Sequence, residues 1–349
     1  MNLRSCFAQF HVQDIFRRYQ NLLGFAILVI ISIIVSPINR KTGVNVFLSF
    51  QNIANVAESV TEVGIMAIGM TFVILSGGID LSVGSVLALS GVLVAGCLTG
   101  QDWFGNHVFP QGTGVTVSIL LALLFSGLAG LASGLTITKL RIPPFVATLA
   151  MMSVARGIAY LDSGNMNIRL NYADGSVPIC FRWISGDFGQ WHVRDPLGIV
   201  PVSPIILIVV AIVSIIVLKR TRFGRYVYAI GGGEEAARLS GIQVARCVIV
   251  TYVICALLSG LAGIIHASEL EMGKADQGLG YELDAIAAVV IGGASLMGGV
   301  GTVAGTLIGA VIMGVLKNIL GLRGIDPFLQ MVMKGVIIIG AVLLQRSKR

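Results

Sequence analysis

Charge is scarce in this chain. Only 12% of its 349 residues are charged, against roughly 25% in soluble proteins, while 55% are apolar and the mean hydropathy is +0.89. No soluble fold of this size needs so many apolar runs, which leaves an all-α polytopic membrane protein. Histidine is scarce and scattered, at His11, His107, His192 and His266. There is no H-E-x-x-H run, no G-x-S-x-G elbow and no Cys/His metal spacing, so nothing assembles a zinc site or a nucleophile with its base. The phosphate loop G-x-x-x-x-G-K-[ST] is missing too, so the chain does not bind ATP in the usual way. The five cysteines, Cys6, Cys97, Cys180, Cys247 and Cys255, form no CxxC pair. Cys97 and Cys180 both fall near the outer face, where they either pair or stay unbonded as small apolar residues. A secretory signal is absent as well: Phe7–Asn21 is polar and mixed, and no small-residue cleavage site follows the first apolar run. Leu22–Ser36 reads as a retained anchor.

What is present is apolar sequence in blocks. Ten segments emerge: Asn21–Ser36, Val56–Leu75, Ser82–Leu98, Val115–Thr138, Pro144–Tyr160, Pro204–Leu218, Val248–Ala267, Leu283–Leu296, Thr302–Leu320 and Phe328–Leu344. Leu283–Leu296 is short for a bilayer core of ~30 Å and is bounded by glycines, which predicts a broken or tilted element. The 44 glycines suit helices that touch backbone to backbone. A net charge of +7 raises the question of nucleic acid, but the positive residues cluster between spans and follow the positive-inside rule instead. With the N-terminus inside, the inner segments carry about fourteen Lys and Arg and the outer ones about seven. That asymmetry places both termini in the cytoplasm. The connection 161–203 then lies outside, and its mix of Asn, Asp and aromatics fits a docking surface or a solvated insertion.

The main charged stretch between apolar blocks is Lys219–Arg246, KRTRFGRYVYAIGGGEEAARLSGIQVAR. Three glycines, Gly231 to Gly233, run into Glu234, Glu235, Ala236, Ala237, Arg238, Leu239, Ser240 and Gly241. Acidic residues in a first turn, Arg238 in the last and a glycine stop predict a short helix over Glu234–Ser240. Seven residues at 1.5 Å each make a rod of roughly 10 Å, too short to persist alone in water. It is therefore either a helical turn in an ordinary loop or an element held by a partner.

Ionisable residues inside apolar runs are the other candidates. Asp80 sits in ILSGGIDLSVGSVLAL, and a carboxylate at the centre of a span costs ~2.5–3.5 kcal/mol. Gly77 and Gly78 permit an unwound turn before it. Asp80 then either caps the next helix through the amides of Ser82 or Val83 or takes a direct part in a pathway. Arg156 and Lys334 fall toward the outer end, where long stems can snorkel. Glu58 and Glu62, one helical turn apart, share a face toward a pathway or reach water. Gly77-Gly78-x-x-Leu81-x-x-Gly84 and Gly292-Gly293-x-x-Leu296-x-x-Gly299 share a spacing. Transporters often carry inverted repeats, yet both runs fall on one side of the predicted membrane, and helix packing explains them equally well.

Three long runs, Ala67–Gly91, TRFGRYVYAIGGGEEAARLSGI (Thr221–Ile242) and ELDAIAAVVIGGASLMGGVGTVAGTLIGA (Glu282–Ala310), resemble the ribose-type permease subunits of bacterial ABC importers, in the binding-protein-dependent inner-membrane transport family. The resemblance covers nearly the whole chain except the outer loop 161–203. It implies one transmembrane permease domain over 1–349 with a type II importer fold of about ten helices in the bacterial inner membrane. It implies a second permease subunit, a cytoplasmic ABC ATPase that holds the ATP and Mg, and a periplasmic sugar-binding protein, with no cofactor bound by this chain and no enzymatic activity in it. The loop 219–247 becomes a coupling loop, with Gly233–Gly241 as the coupling helix and its ends; Gly233 departs from the asparagine of many members. A permease for nucleosides or branched-chain amino acids, or an ion-coupled secondary transporter, is the alternative.

Overall fold

The computed structural model describes residues 24–38, 43–100, 113–172, 177–184 and 202–346. The N-terminal stretch, about half of the connection 161–203 and Arg349 lie outside the described residues. The chain runs through α1 (Gly24–Val35), α2 (Phe50–Leu75), α3 (Val83–Thr99), α4 (Val115–Lys139), α5 (Pro144–Ser163) and α6 (Val202–Arg220). There follow α7 (Arg222–Gly232), α8 (Glu234–Leu239), α9 (Val244–Glu269), α10 (Tyr281–Ile291), α11 (Val303–Leu322) and α12 (Pro327–Arg346). The only described ladder is a two-residue antiparallel pairing of β1 (Ile168–Arg169) with β2 (Met272–Gly273). The fold is all-α. Six helices, α2, α4, α5, α6, α9 and α11, are long and apolar enough to cross a membrane, and the shorter apolar helices Gly24–Val35, Val83–Thr99 and Phe328–Ile337 stand beside them.

Burial sorts these helices into a centre and a shell. Every residue of α2 from Val60 to Leu75 is buried, the polar Thr61, Glu62 and Thr71 included. It packs against α6, α9, α10 and α11, while α9 also lies along α3 and α4. The outer helices keep one apolar face open: Leu120, Leu124, Leu128 and Leu131 on α4, and Ile205, Ile208, Ile212 and Ile216 on α6. Those spacings of three and four put each set on one stripe, suited to lipid.

Inside, contact is made through small residues and hydroxyls, because lipid tails give apolar side chains no reason to leave them. A methyl added at Gly134 of α4 would lie 2.8 Å from Ile249 Cα of α9, so the two backbones pass in near contact. The hydroxyls of Thr71 on α2 and Thr306 on α11 meet at 2.7 Å, an interhelical bond of about 0.6 kcal/mol in membrane proteins. The predicted short element is α10, which has 11 residues. That is about 17 Å of helix, roughly half the hydrocarbon core. It ends in a glycine turn and folds back on α11. Cys97 is buried, Cys180 is exposed, and both are free thiols.

Candidate functional site

One end of the bundle carries α8, and its construction is local. Glu234 and Glu235 occupy the first turn, and Arg238 bonds back to Glu234 at 2.7 Å, an i,i+4 pair. At the far end Gly241 takes φ +81, its amide donates to Arg238 O at 3.0 Å, and Ile242 N donates to Ala237 O at 3.1 Å. Those paired bonds are a Schellman stop. The helix spans six residues rather than the predicted seven, because Ser240 serves as its cap. Gly233 enters it at φ 169, extended backbone open to any residue. Ala237 is buried among Ile230, Val244 and Cys247, whereas Ala236 is exposed and Leu239 is 82% exposed.

Sequence reading missed the helix before it, α7, since Gly231 and Gly232 look like loop. The available signal was Thr221, whose hydroxyl accepts from Gly224 N at 3.2 Å, followed by Phe223, Val227 and Ile230 at helical spacing. Three contacts fasten α7 to the bundle. Phe223 stacks on Phe72 of α2 at 6.3 Å, and Tyr228 Oη donates to Gly301 O at 2.8 Å. Burial raises the Tyr228 phenol above its ordinary value, so it stays protonated and keeps donating. The third contact is Gly231, where a methyl would run into Leu75 O and Gly299 N. Gly299 N itself donates to Leu75 O at 3.0 Å.

This knot explains the two matching glycine runs. Gly77 N donates to Ile74 O at 2.9 Å and Gly78 N to Val73 O at 3.0 Å; Gly293 N donates to Val290 O at 2.8 Å and Ala294 N to Val289 O at 3.1 Å. Each run is a Schellman stop, one for α2 and one for α10, and both lie at the α8 end. The positive φ of Gly77 and Gly293, +84 and +93, is what each stop requires.

Asp80 follows the first stop and is 1% exposed. Its Oδ1 accepts from Ser82 N at 2.9 Å and from Ser82 Oγ at 2.6 Å, fixing the entry to α3. The neighbouring Ile79 O is held by Tyr252 Oη at 3.4 Å and Thr148 Oγ1 at 3.3 Å. Toward the opposite end, Glu62 is buried and lies 2.5 Å from His266 Nδ1, whose Nε2 is 3.0 Å from Gln277 Oε1. Glu58 is half-buried. Glu62 therefore does not reach water, because a partner 204 residues away encloses it. Arg156 does not snorkel either: it turns inward and donates to Ala275 O at 2.5 Å and Gln277 O at 2.6 Å. Lys334 pairs with Asp284 at 2.8 Å. Protein partners satisfy these cations before a lipid headgroup could.

A surface helix is thus joined through α7 to the ends of α2 and α10. The family described as the permease component of branched-chain amino acid transport systems matches residues 52–342. The ribose import permease of Bacillus subtilis (strain 168) is 42% identical over 338 residues, covering 97% of this chain and 95% of that protein. The ribose import permease of Escherichia coli (strain K12) is 41% identical over 304 residues, 87% of this chain and 88% of the relative. The L-arabinose transport system permease of the same strain is 35% identical over 345 residues, 98% and 94% of the two chains. No solved structure matches.

Proposed function

The chain belongs to the permease family whose match spans residues 52–342, and from that premise we propose that it is the membrane subunit of an ATP-driven monosaccharide importer. Relatives named for ribose and arabinose, aligned over most of the chain, support a sugar over an amino acid or a nucleoside. In this reading a separate ATPase binds ATP and Mg on the cytoplasmic side, where the basic residues and α8 lie. A second permease subunit stands alongside, and a sugar-binding protein delivers substrate to the opposite face.

The observation that carries the reading is α8 itself, closed by a Schellman stop and presenting Leu239 to solvent. ATP binding closes the ATPase domains and draws α8 with them. Because α7 is fastened at Phe223, Tyr228 and Gly231, the displacement passes to the ends of α2 and α10. Packed elements respond by shifting as rigid bodies, so the pathway alternates between outward and inward access. Leu239→Glu tests the contact. Burying a leucine in a partner is worth about 1.5–3 kcal/mol, so the variant should insert normally yet lose about tenfold or more in uptake and in substrate-stimulated ATP hydrolysis. Normal values for both, at normal assembly, would remove α8 from the mechanism.

A further inference from the structure

Beside α8 the bundle surface is hollowed. A groove of about 490 Å³ opens between α8, the corner joining α4 to α5 and the first turns of α9. Ile142 and Val248 line its apolar part, Arg141, Glu234 and Arg238 its charged part, and the exposed Ala245 its wall. Within the importer proposed above, on which this step rests, we infer that the groove is a second socket for the ATPase and takes a large apolar side chain flanked by a carboxylate.

Size, charge and placement argue for that occupant. The volume falls in the range of specific pockets, ~300–1,000 Å³, with room for a bulky side chain together with a charged neighbour. Its apolar part, at Ile142 and Val248, gains from being covered. Charge at the rim is unbalanced: Glu234 neutralises Arg238 at 2.7 Å, while Arg141 is exposed and has no ion pair among the described residues. An acidic partner group therefore finds a free guanidinium. Arg141 also holds φ +56, a conformation that residues other than Gly, Asn and Asp rarely adopt. A glycine would sit there with less strain, so the corner retains its charge against backbone preference.

Placement separates the ATPase from an anionic lipid headgroup. Ile142 and Val248 beside Arg141 suit an apolar side chain next to a carboxylate, whereas a headgroup phosphate would use only the arginine. The groove also shares α8 with the Leu239 face, so a protein seated on Leu239 overhangs it. Gripping α8 on two sides has a mechanical consequence. A helix touched on one face can only be pushed, whereas one held on two faces is also drawn back when the ATPase opens. The socket thus makes the return stroke as direct as the power stroke.

A photo-crosslinking residue is placed at position 239 or at position 245 of the intact importer, reconstituted with anionic lipid. The inference expects both positions to capture the ATPase. Ala245→Trp, which fills the groove without touching Leu239, should lower substrate-stimulated ATP hydrolysis about fivefold or more at unchanged permease folding. Arg141→Gly should be at least as heat-stable as the wild type, since it relieves the backbone, yet be poorly coupled. Capture from 239 alone, with Ala245→Trp and Arg141→Gly fully coupled, overturns the socket and leaves α8 docking intact. Capture from neither position overturns both. Capture of phospholipid rather than ATPase from 245 overturns the socket in favour of a headgroup site.

Discussion

Asp80 illustrates how much a single residue reveals before its surroundings are known. A carboxylate beside two glycines at the edge of an apolar run already limits the options to a helix entry or a polar cavity. The structure supplies the geometry: one oxygen takes both Ser82 groups, at 2.9 and 2.6 Å, within a site closed to water. Asn offers the same acceptor and leucine offers none, and losing such a cap costs ~1 kcal/mol, more where the freed amide is buried. Asp80→Asn should therefore keep assembly and most uptake, and Asp80→Leu should lower the thermal unfolding temperature of the purified chain and lose uptake. An Asp80→Asn protein that assembles without any uptake would assign the carboxylate to the pathway. Glu62 was harder to read. Its position on one helix is visible in sequence, but His266 is a different helix away, and periodicity carries no information about partners 204 residues apart.

At the scale of elements, local chemistry was legible and tertiary compensation was not. The caps of α8 are short-range signals, so its existence follows from Glu234, Glu235, Arg238 and Gly241. The helix α7 escaped notice because two glycines at its end weaken helix propensity by about 1 kcal/mol each. Gly231 tolerates that loss because no larger residue fits beneath Leu75 O. The brevity of α10 was legible from the glycines bounding it, although its start lies at Tyr281, two residues earlier than expected. A six-residue helix has little stability in reserve. Ala236→Gly, on the exposed side of α8, should cost about 1 kcal/mol of local helix stability without disturbing the core. The expected result is faster hydrogen exchange confined to α8, with reduced coupling and unchanged thermal unfolding. Unchanged exchange in α8 would mean that its packing alone fixes its shape.

For the whole molecule, the sequence pattern indicated a helical membrane protein of many spans, and the six long helices agree with it. It did not indicate which helices form the centre, because apolarity does not track burial here: α6 is the more apolar of the two, yet α2 is the one enclosed by other helices. Nor did it show that the stops of α2 and α10 meet under α7, the feature on which the proposed transmission rests. That feature has an internal control. Gly231 and Gly232 are adjacent on α7, yet a methyl at Gly231 strikes Leu75 O and Gly299 N, while one at Gly232 meets nothing within 4 Å. Sugar uptake per assembled importer, with ATPase binding measured in the same preparation, tests the account most directly for Gly231→Ala against Gly232→Ala. The prediction is that both variants bind the ATPase, that Gly232→Ala stays within about twofold of the wild type, and that Gly231→Ala loses about tenfold or more, ~1.4 kcal/mol of coupling. Equal uptake by the two variants would show that force does not travel from α8 through the glycine knot.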